Sequence, residues 1–420
     1  MPAAFRRMFS SFTSYSTDEA TRKNIINSIG DGAWYAVMTG LTTSFMGVYA
    51  LALGASDAML GWLAALPALV ALLSQVPAAL ITERAVKRMR VLWPSTVAFR
   101  LGYLVFAFIP FLPIAPVAKA WVFIGLFAVM SFPGTVSGVS WTAMMGDIFP
   151  ANLRGRIFGD RNMLLGIVAL ASTVAAGPLL DALPYPLNFT ILFLVAFLAL
   201  LISLVYLRRI TERPDSDDIS VVRTANLKSI AATLSDKPFL SFVAAMFVIH
   251  IGFNISAAMW TLLYVRVLLL SKTFIALITV VAQLTSVLCF RWWGRLADRI
   301  GPRRALFYSV LLFAPQPFLH MFVKTSWPLI PLSIASGVAG SGFTLILFNV
   351  LLGVAADERK RPSYIAVFNG LMGLTGFLAP LIGVAIYGHF SMNTVFLIAT
   401  IVRLAGLLLF ARQFRLKPVA

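Results

Sequence analysis

The residues best placed to do chemistry in this chain are polar groups set in apolar surroundings. Gly294-Arg295-Leu296-Ala297-Asp298-Arg299-Ile300-Gly301-Pro302-Arg303-Arg304 puts one acid among arginines. Asp298 there can pair with cations or cap the positive N-terminus of a neighbouring helix. Gly294 would let two helices approach closely, and Gly301 would permit a tight turn with positive φ. His250 and Asn254 are one helical turn apart, and a buried imidazole or amide needs a partner. Arg100 and Arg403 lie inside apolar stretches, about 13 Å deep at about 1.5 Å per residue. No Asp or Glu falls in the middle of such a stretch. Asp31, between Gly30 and Gly32, is the nearest substitute for a proton-binding carboxylate. Its plainer reading is an acid at a helix N-terminus, favoured by the dipole. The single Cys289 excludes a disulfide framework, and His250, His320 and His389 lack metal-ligand spacing. No phosphate-binding GxxxxGK[ST] loop is present, so this chain supplies no ATP drive, and no metal, catalytic group or cofactor is expected.

The elements that carry these residues follow from composition. The chain is 60% hydrophobic and 12% charged, with a mean hydropathy of +0.88. A soluble domain is about a quarter charged. This chain needs a bilayer, whose core takes about 20 apolar residues per span. Twelve apolar runs are present: 31–53, 57–81, 92–113, 119–143, 162–181, 187–207, 238–263, 273–292, 304–323, 328–350, 363–387 and 393–411. Each reads as a helix, because hydrocarbon leaves backbone groups no other partner and strand alternation is absent. The expected fold is an all-α membrane protein. Residues 1–30 are polar, with no cleavable signal peptide evident. The longest polar stretch predicts a cytoplasmic linker at 208–237 between six-helix bundles at 1–207 and 238–420.

The net charge of +18 would suggest nucleic acid in a soluble protein. Its placement says otherwise. Of 34 Lys and Arg, 28 fall on the side of the N-terminus, three of them in the loop before residue 162. Only Lys119, Arg266, Lys272 and Lys324 fall opposite. The positive-inside rule makes the first side cytoplasmic, with both termini there. The basic charge is topogenic, and no nucleic-acid partner is expected.

The halves also repeat. Arg154, Asn162, Leu164 and Gly166 match Arg361, Asn369, Leu371 and Gly373 at a constant offset. Ile81-Thr82-Glu83-Arg84 with Arg88 sits opposite Leu296-Ala297-Asp298-Arg299 with Arg303. A duplicated six-helix unit is the reading. The loop from Gly294 resembles the signature loop of the major facilitator superfamily: glycine, variable, leucine, alanine, aspartate, arginine, variable, glycine, then a basic run. The first-half copy is degenerate, with Ala79 and Val86 in the glycine positions. The resemblance covers the whole chain. It implies two pseudo-symmetric six-helix bundles around a cavity that opens alternately to each side. It also implies that Asp298, Arg299 and Arg303 with Arg361, and Glu83 with Arg154 or Arg156, form a charge network that latches the cytoplasmic side in one state. A plain topogenic loop is the alternative.

In that family the first, fourth, seventh and tenth helices line the cavity. Carried over by position, this nominates Tyr35, Thr39 and Thr42, with Met46 and Tyr49 on the same face, then Trp141, and then His250, Asn254, Trp260 and Tyr264. Asn349, Gln283 and Asn369 complete the set of cavity candidates, and Asp31 and His250 are the coupling candidates. Hydroxyls that bond their own helix are the bland alternative. Arg100 and Arg403 sit on helices that the family packs outside, which favours snorkelling or an inter-helix bond. Gly177-Pro178 resembles part of the antiporter motif of drug-efflux members, but Asp181 replaces its glycine, so export is not read from it. Asn188-Phe189-Thr190 fits a glycosylation sequon on the outer side.

The function expected is a secondary transporter of a small organic solute, with proton coupling left open. The alternatives are a membrane-embedded enzyme, which would want clustered acids or histidines, and a transporter-like sensor. A monomer in a bacterial inner membrane, with the bilayer and the solute as partners, completes the expectation.

Overall fold

The structure, a computed structural model, describes residues 18–149, 151–212, 233–354 and 361–414. The side chains at 151, 152, 155, 361 and 362 and most of the expected linker lie outside it. The described residues are helical and contain no strand. We number the spans α1 (Glu19–Leu53), α2 (Asp57–Glu83), α3 (Met89–Phe111), α4 (Pro116–Ile148), α5 (Ala151–Ala182) and α6 (Leu187–Arg208). The second half holds α7 (Lys237–Val267), α8 (Lys272–Ile300), α9 (Pro302–Phe313, then Gln316–His320), α10 (Leu329–Val354), α11 (Arg361–His389) and α12 (Met392–Gln413).

Eleven of these are long and apolar enough to cross a membrane. The ninth is not one continuous helix. Pro315 and Pro317 lack amide donors, and the helix stops at Phe313 and restarts at Gln316. Other helices run further than the apolar runs suggest. Asp18 caps α1 by accepting from the amides of Ala20 and Thr21, so α1 starts at Glu19. Asp31 is therefore roughly three turns inside the helix and not at its start. Likewise α5 begins at Ala151, so Arg161, counted above with a loop, lies within a helix. Hydropathy marks only the lipid-facing stretch, whereas helical hydrogen bonding continues into the polar turns beyond it.

The packing repeats. In the first half α1 packs on α5 and α6, and α3 on α4 and α6. In the second half α7 packs on α11 and α12, and α9 on α10 and α12. These are the same pairs shifted by six helices. By compactness the chain divides into two units. One comprises Met1–Gly54, Leu73–Ile219 and Ser271–Ala276; the other comprises Ala55–Leu72, Ser220–Leu270 and Leu277–Ala420.

In the first unit an apolar core gathers Ile25, Ile29, Met144, Met145, Phe149 and Leu207. A separate aromatic cluster surrounds Tyr49, whose ring lies within 5.0 Å of Phe123, Phe189 and Phe193. Its hydroxyl donates to the Phe106 carbonyl at 2.5 Å, so Tyr49 is core and not a cavity residue. The second unit's core holds Phe239, Phe242, Trp293, Ile346 and Phe410. Large apolar side chains such as Leu73, Val129, Leu288 and Leu408 are exposed, as a hydrocarbon solvent requires.

Candidate functional site

Three arginines are buried within helices among the described residues: Arg100, Arg161 and Arg403. Their partners differ, and the difference assigns their roles. Arg100 on α3 donates to the Leu200 carbonyl at 2.8 Å and to Ser203 Oγ at 3.0 Å, both on α6. It also pairs with Asp31 of α1 at 3.1 Å. Ser203 donates to the same carboxylate at 2.6 Å. The ion pair is nearly sealed and knots α1, α3 and α6 together.

Arg403 on α12 has no carboxylate partner among the described residues. Its Nε donates to the Gly252 carbonyl at 2.9 Å, one terminal nitrogen to Phe313 O at 3.3 Å, and the other to Ser256 Oγ at 3.0 Å. The guanidinium lies 4.8 Å from the Phe253 ring centroid. This joins α7, α9 and α12, the second-half counterparts of α1, α3 and α6. Neither Arg100 nor Arg403 snorkels; both make inter-helix bonds.

Arg161 on α5 is different. Its Nε donates to the Ser28 carbonyl of α1 at 3.2 Å, and its guanidinium stacks 4.6 Å from the Trp141 ring of α4. It fits because Gly32 has no side chain: a Cβ there would meet an Arg161 terminal nitrogen at 2.5 Å. Its two terminal nitrogens have no hydrogen-bond partner among the described residues. Trp141 Nε1 and Ser28 Oγ beside it are buried and equally unpartnered. The sequence reading passed over Arg161. Two signals were available: its adjacency to Asn162 of the internal repeat, and the glycines flanking Asp31 inside a helix.

The other cavity candidates scatter in role. Tyr35 is exposed. Thr39 and Thr42 donate to their own helix, at Tyr35 O and Met38 O. His250 Nδ1 bonds Met246 O at 2.8 Å, with Phe343 and Phe368 rings at 5.5 and 6.3 Å. Asn254 donates to Thr375 Oγ1 of α11 at 3.1 Å, tying α7 to α11. Trp260 packs edge-on to His320 and against Phe396. Tyr264 is half-buried within the π-helical turn Leu263–Val267. Gln283, Asn349 and Asn369 are exposed.

The signature loop is only partly as expected. Gly301 has φ +85, which a side chain would strain, and it heads the first helix of α9. A methyl group at Gly294 would meet nothing within 4 Å among the described residues, so none of their helices approaches closely there. Asp298 and Arg299 are exposed, and no ion pair joins them to the described residues. Arg303 lies 4.5 Å from the Phe414 ring. Glu83 is exposed and does not meet Arg154, which instead donates to Gly146 O and Phe149 O at the end of α4. The Arg361 side chain and Gly155 lie outside the described residues. The first unit's polar network at this end uses other residues: Arg88 pairs with Asp147 at 3.6 Å, and Glu212 accepts the amides of Arg88 and Met89.

Asp181 caps the start of α8. Its carboxylate accepts from the Lys272 and Thr273 amides at 3.0 and 2.8 Å and from the Thr273 hydroxyl at 2.7 Å. Gly177, one turn earlier on α5, leaves the room for α8 to come this close. Asn188 of the sequon is buried and donates to Leu180 O, so it is not open to modification.

Comparison with known proteins agrees with this architecture. The chain is 28% identical over 247 residues to the multidrug resistance protein MdtG of Enterobacter lignolyticus, covering 56% of each chain. It is 27% identical over 282 residues to MdtG of Salmonella arizonae, covering 64% of this chain and 65% of that one. The alignments thus span somewhat under two thirds of these relatives' lengths. The crystal structure of the nucleoside transporter NupG superposes with a TM-score of 0.71 over 95% of this chain and 100% of that one, at 14% identity. The family description of the Major Facilitator Superfamily matches residues 32–269 and 242–420, so the chain belongs to that superfamily.

Proposed function

We propose that the protein is a secondary transporter that moves a small organic solute across a membrane by alternating access. The observation that carries this is the match of both halves to one transporter superfamily, together with helix pairs that repeat six helices apart. The multidrug resistance proteins among its relatives favour an organic, amphiphilic solute. The rocking bodies would be residues 1–207 and 238–420, joined by 208–237. The basic excess on one face supports an inner-membrane protein with both termini in the cytoplasm. A membrane enzyme or a sensor is the alternative; among the described residues no cluster of acids or histidines supports the enzyme.

For coupling, His250 is the better candidate, because Asp31 is already engaged by Arg100 and Ser203. The latch role of Asp298, Arg299, Arg303 and Arg361 rests on their motif, and that of Glu83 and Arg154 on their place in its first-half copy. The test is flux. Purified protein in proteoliposomes should show saturable exchange of labelled solutes, indifferent to ATP. Solute binding with no flux under any imposed gradient would favour the sensor reading.

A further inference from the structure

Two of the three buried arginines are spoken for. Arg100 has Asp31, and each of the three guanidinium nitrogens of Arg403 has an oxygen to donate to. Arg161 is 8% exposed, yet both its terminal nitrogens lack partners among the described residues. Asp31 lies near enough to act on it electrostatically but is bonded to Arg100. The cluster therefore holds two guanidinium groups and one carboxylate. A buried charge without a counter-charge is costly in a membrane.

The surroundings read as a built seat. Trp141 holds the guanidinium plane on one side, Ser28 O fixes Nε, and Gly32 clears the space. What remains is the fork of terminal nitrogens, with the Trp141 indole N–H and the Ser28 hydroxyl as further unpartnered donors. A planar fork of this kind matches a carboxylate or phosphonate in a bidentate manner. The cluster's one acid already accepts from Arg100 and Ser203, both at Oδ1, so the excess charge around Arg161 is positive.

We propose that Arg161, stacked on Trp141 and seated through Gly32, is the anion-binding residue of the substrate site, and that the transported solute carries a carboxylate or similar oxyanion. This rests on the transporter reading above. In this arrangement the solute supplies the missing negative charge, and its apolar part is left to the rest of the site.

The test uses the full-length protein in lipid nanodiscs and three scaffolds, phenylbutyrate, naphthoate and decanoate. Each is offered as carboxylate, carboxamide and amine, and binding is followed by calorimetry. The carboxylates should bind, with their amides and amines weaker by roughly thirtyfold or more, as loss of a charged hydrogen bond implies. Arg161→Gln should abolish that discrimination. Gly32→Ala, which pushes a methyl group into the guanidinium's seat while keeping its charge, should do the same even if the Gln variant misfolds. Equal or tighter binding of the amides or amines, carboxylate affinity unchanged in both variants, or no carboxylate binding at all would overturn the proposal. Carboxylate binding that depends on Arg161, without flux in proteoliposomes, would leave the anion site standing and sink only the transporter reading.

Discussion

Arg100 and Arg403 occupy corresponding junctions of the two halves, although they come from helices that do not correspond. One sits where α1, α3 and α6 meet, the other where α7, α9 and α12 meet. The first brings an acid with it and the second does not. Removing one partner of a buried pair leaves an uncompensated charge, at a cost of about 3–5 kcal/mol. Arg100→Leu should therefore destabilise the protein strongly, and adding Asp31→Asn should recover much of the loss. Denaturant unfolding in detergent micelles measures both; equal stability of the single and double variants would count against the ion pair.

Arg403 predicts the opposite pattern. No acid is stranded when it is removed, so the loss is that of three hydrogen bonds and two ring contacts. Arg403→Lys keeps the charge but cannot reach three oxygens in one plane. We expect Lys to be no better than Met at this site, each costing about 2 kcal/mol. A fully stable Lys variant in the same unfolding assay would show that charge alone matters.

The two glycines of the signature loop should separate. Gly301 has a φ that strains any side chain, and Gly301→Ala should cost about 1–3 kcal/mol. Gly294 has open space about it, and Gly294→Ala should be close to neutral in the melting temperature. Equal shifts in the two melts would refute this assignment.

Asp181 caps α8 from a different helix. Asp181→Ala should cost about 1 kcal/mol, and Asp181→Asn, which keeps an acceptor oxygen, less. Amide exchange at Lys272 and Thr273, read by mass spectrometry, should speed up in the Ala variant. Unchanged exchange would mean that the cap contributes nothing.

Asp298→Asn should insert and fold normally yet lose transport. The residue is exposed, so its substitution has little to disturb in the core. Wild-type flux in proteoliposomes would dismiss the latch role.

The fold was the most legible part of the sequence. Span count, helical class and duplication follow from hydropathy and repeat spacing, which are local or periodic properties. The break in α9 was readable in principle from Pro315 and Pro317, but a hydropathy average passes over two prolines. The site was less legible. Tyr35 and Thr39 fall on one helix face, which says where a side chain points and not what meets it. Arg161 was hidden because the apolar run began one residue after it, at Asn162. Its burial depends on Gly32, more than a hundred positions away, and such pairings are not written in local spacing. The same holds for Arg154, which bonds α4 carbonyls instead of Glu83.

The interruption in α9 also bears on how the protein is made. Its longer piece has 12 residues, about 18 Å at a helical rise of about 1.5 Å, against a hydrocarbon core of about 30 Å. The two pieces together cover most of the apolar run 304–323, the length of a span, but the backbone groups freed at the break need partners in lipid. Ser336 of α10 donates to Gln316 and Thr400 of α12 accepts from the Phe318 amide, so α9 is expected to be settled by helices made after it. Chains cut after residue 326 should then be inserted with mixed orientation at their new end, and chains cut after α10 should not. Glycosylation-site mapping of such truncations in microsomes reads this directly, and uniform insertion at the earlier cut would contradict it. A proline pair in one helix thereby sets an order of assembly for the second half of the chain.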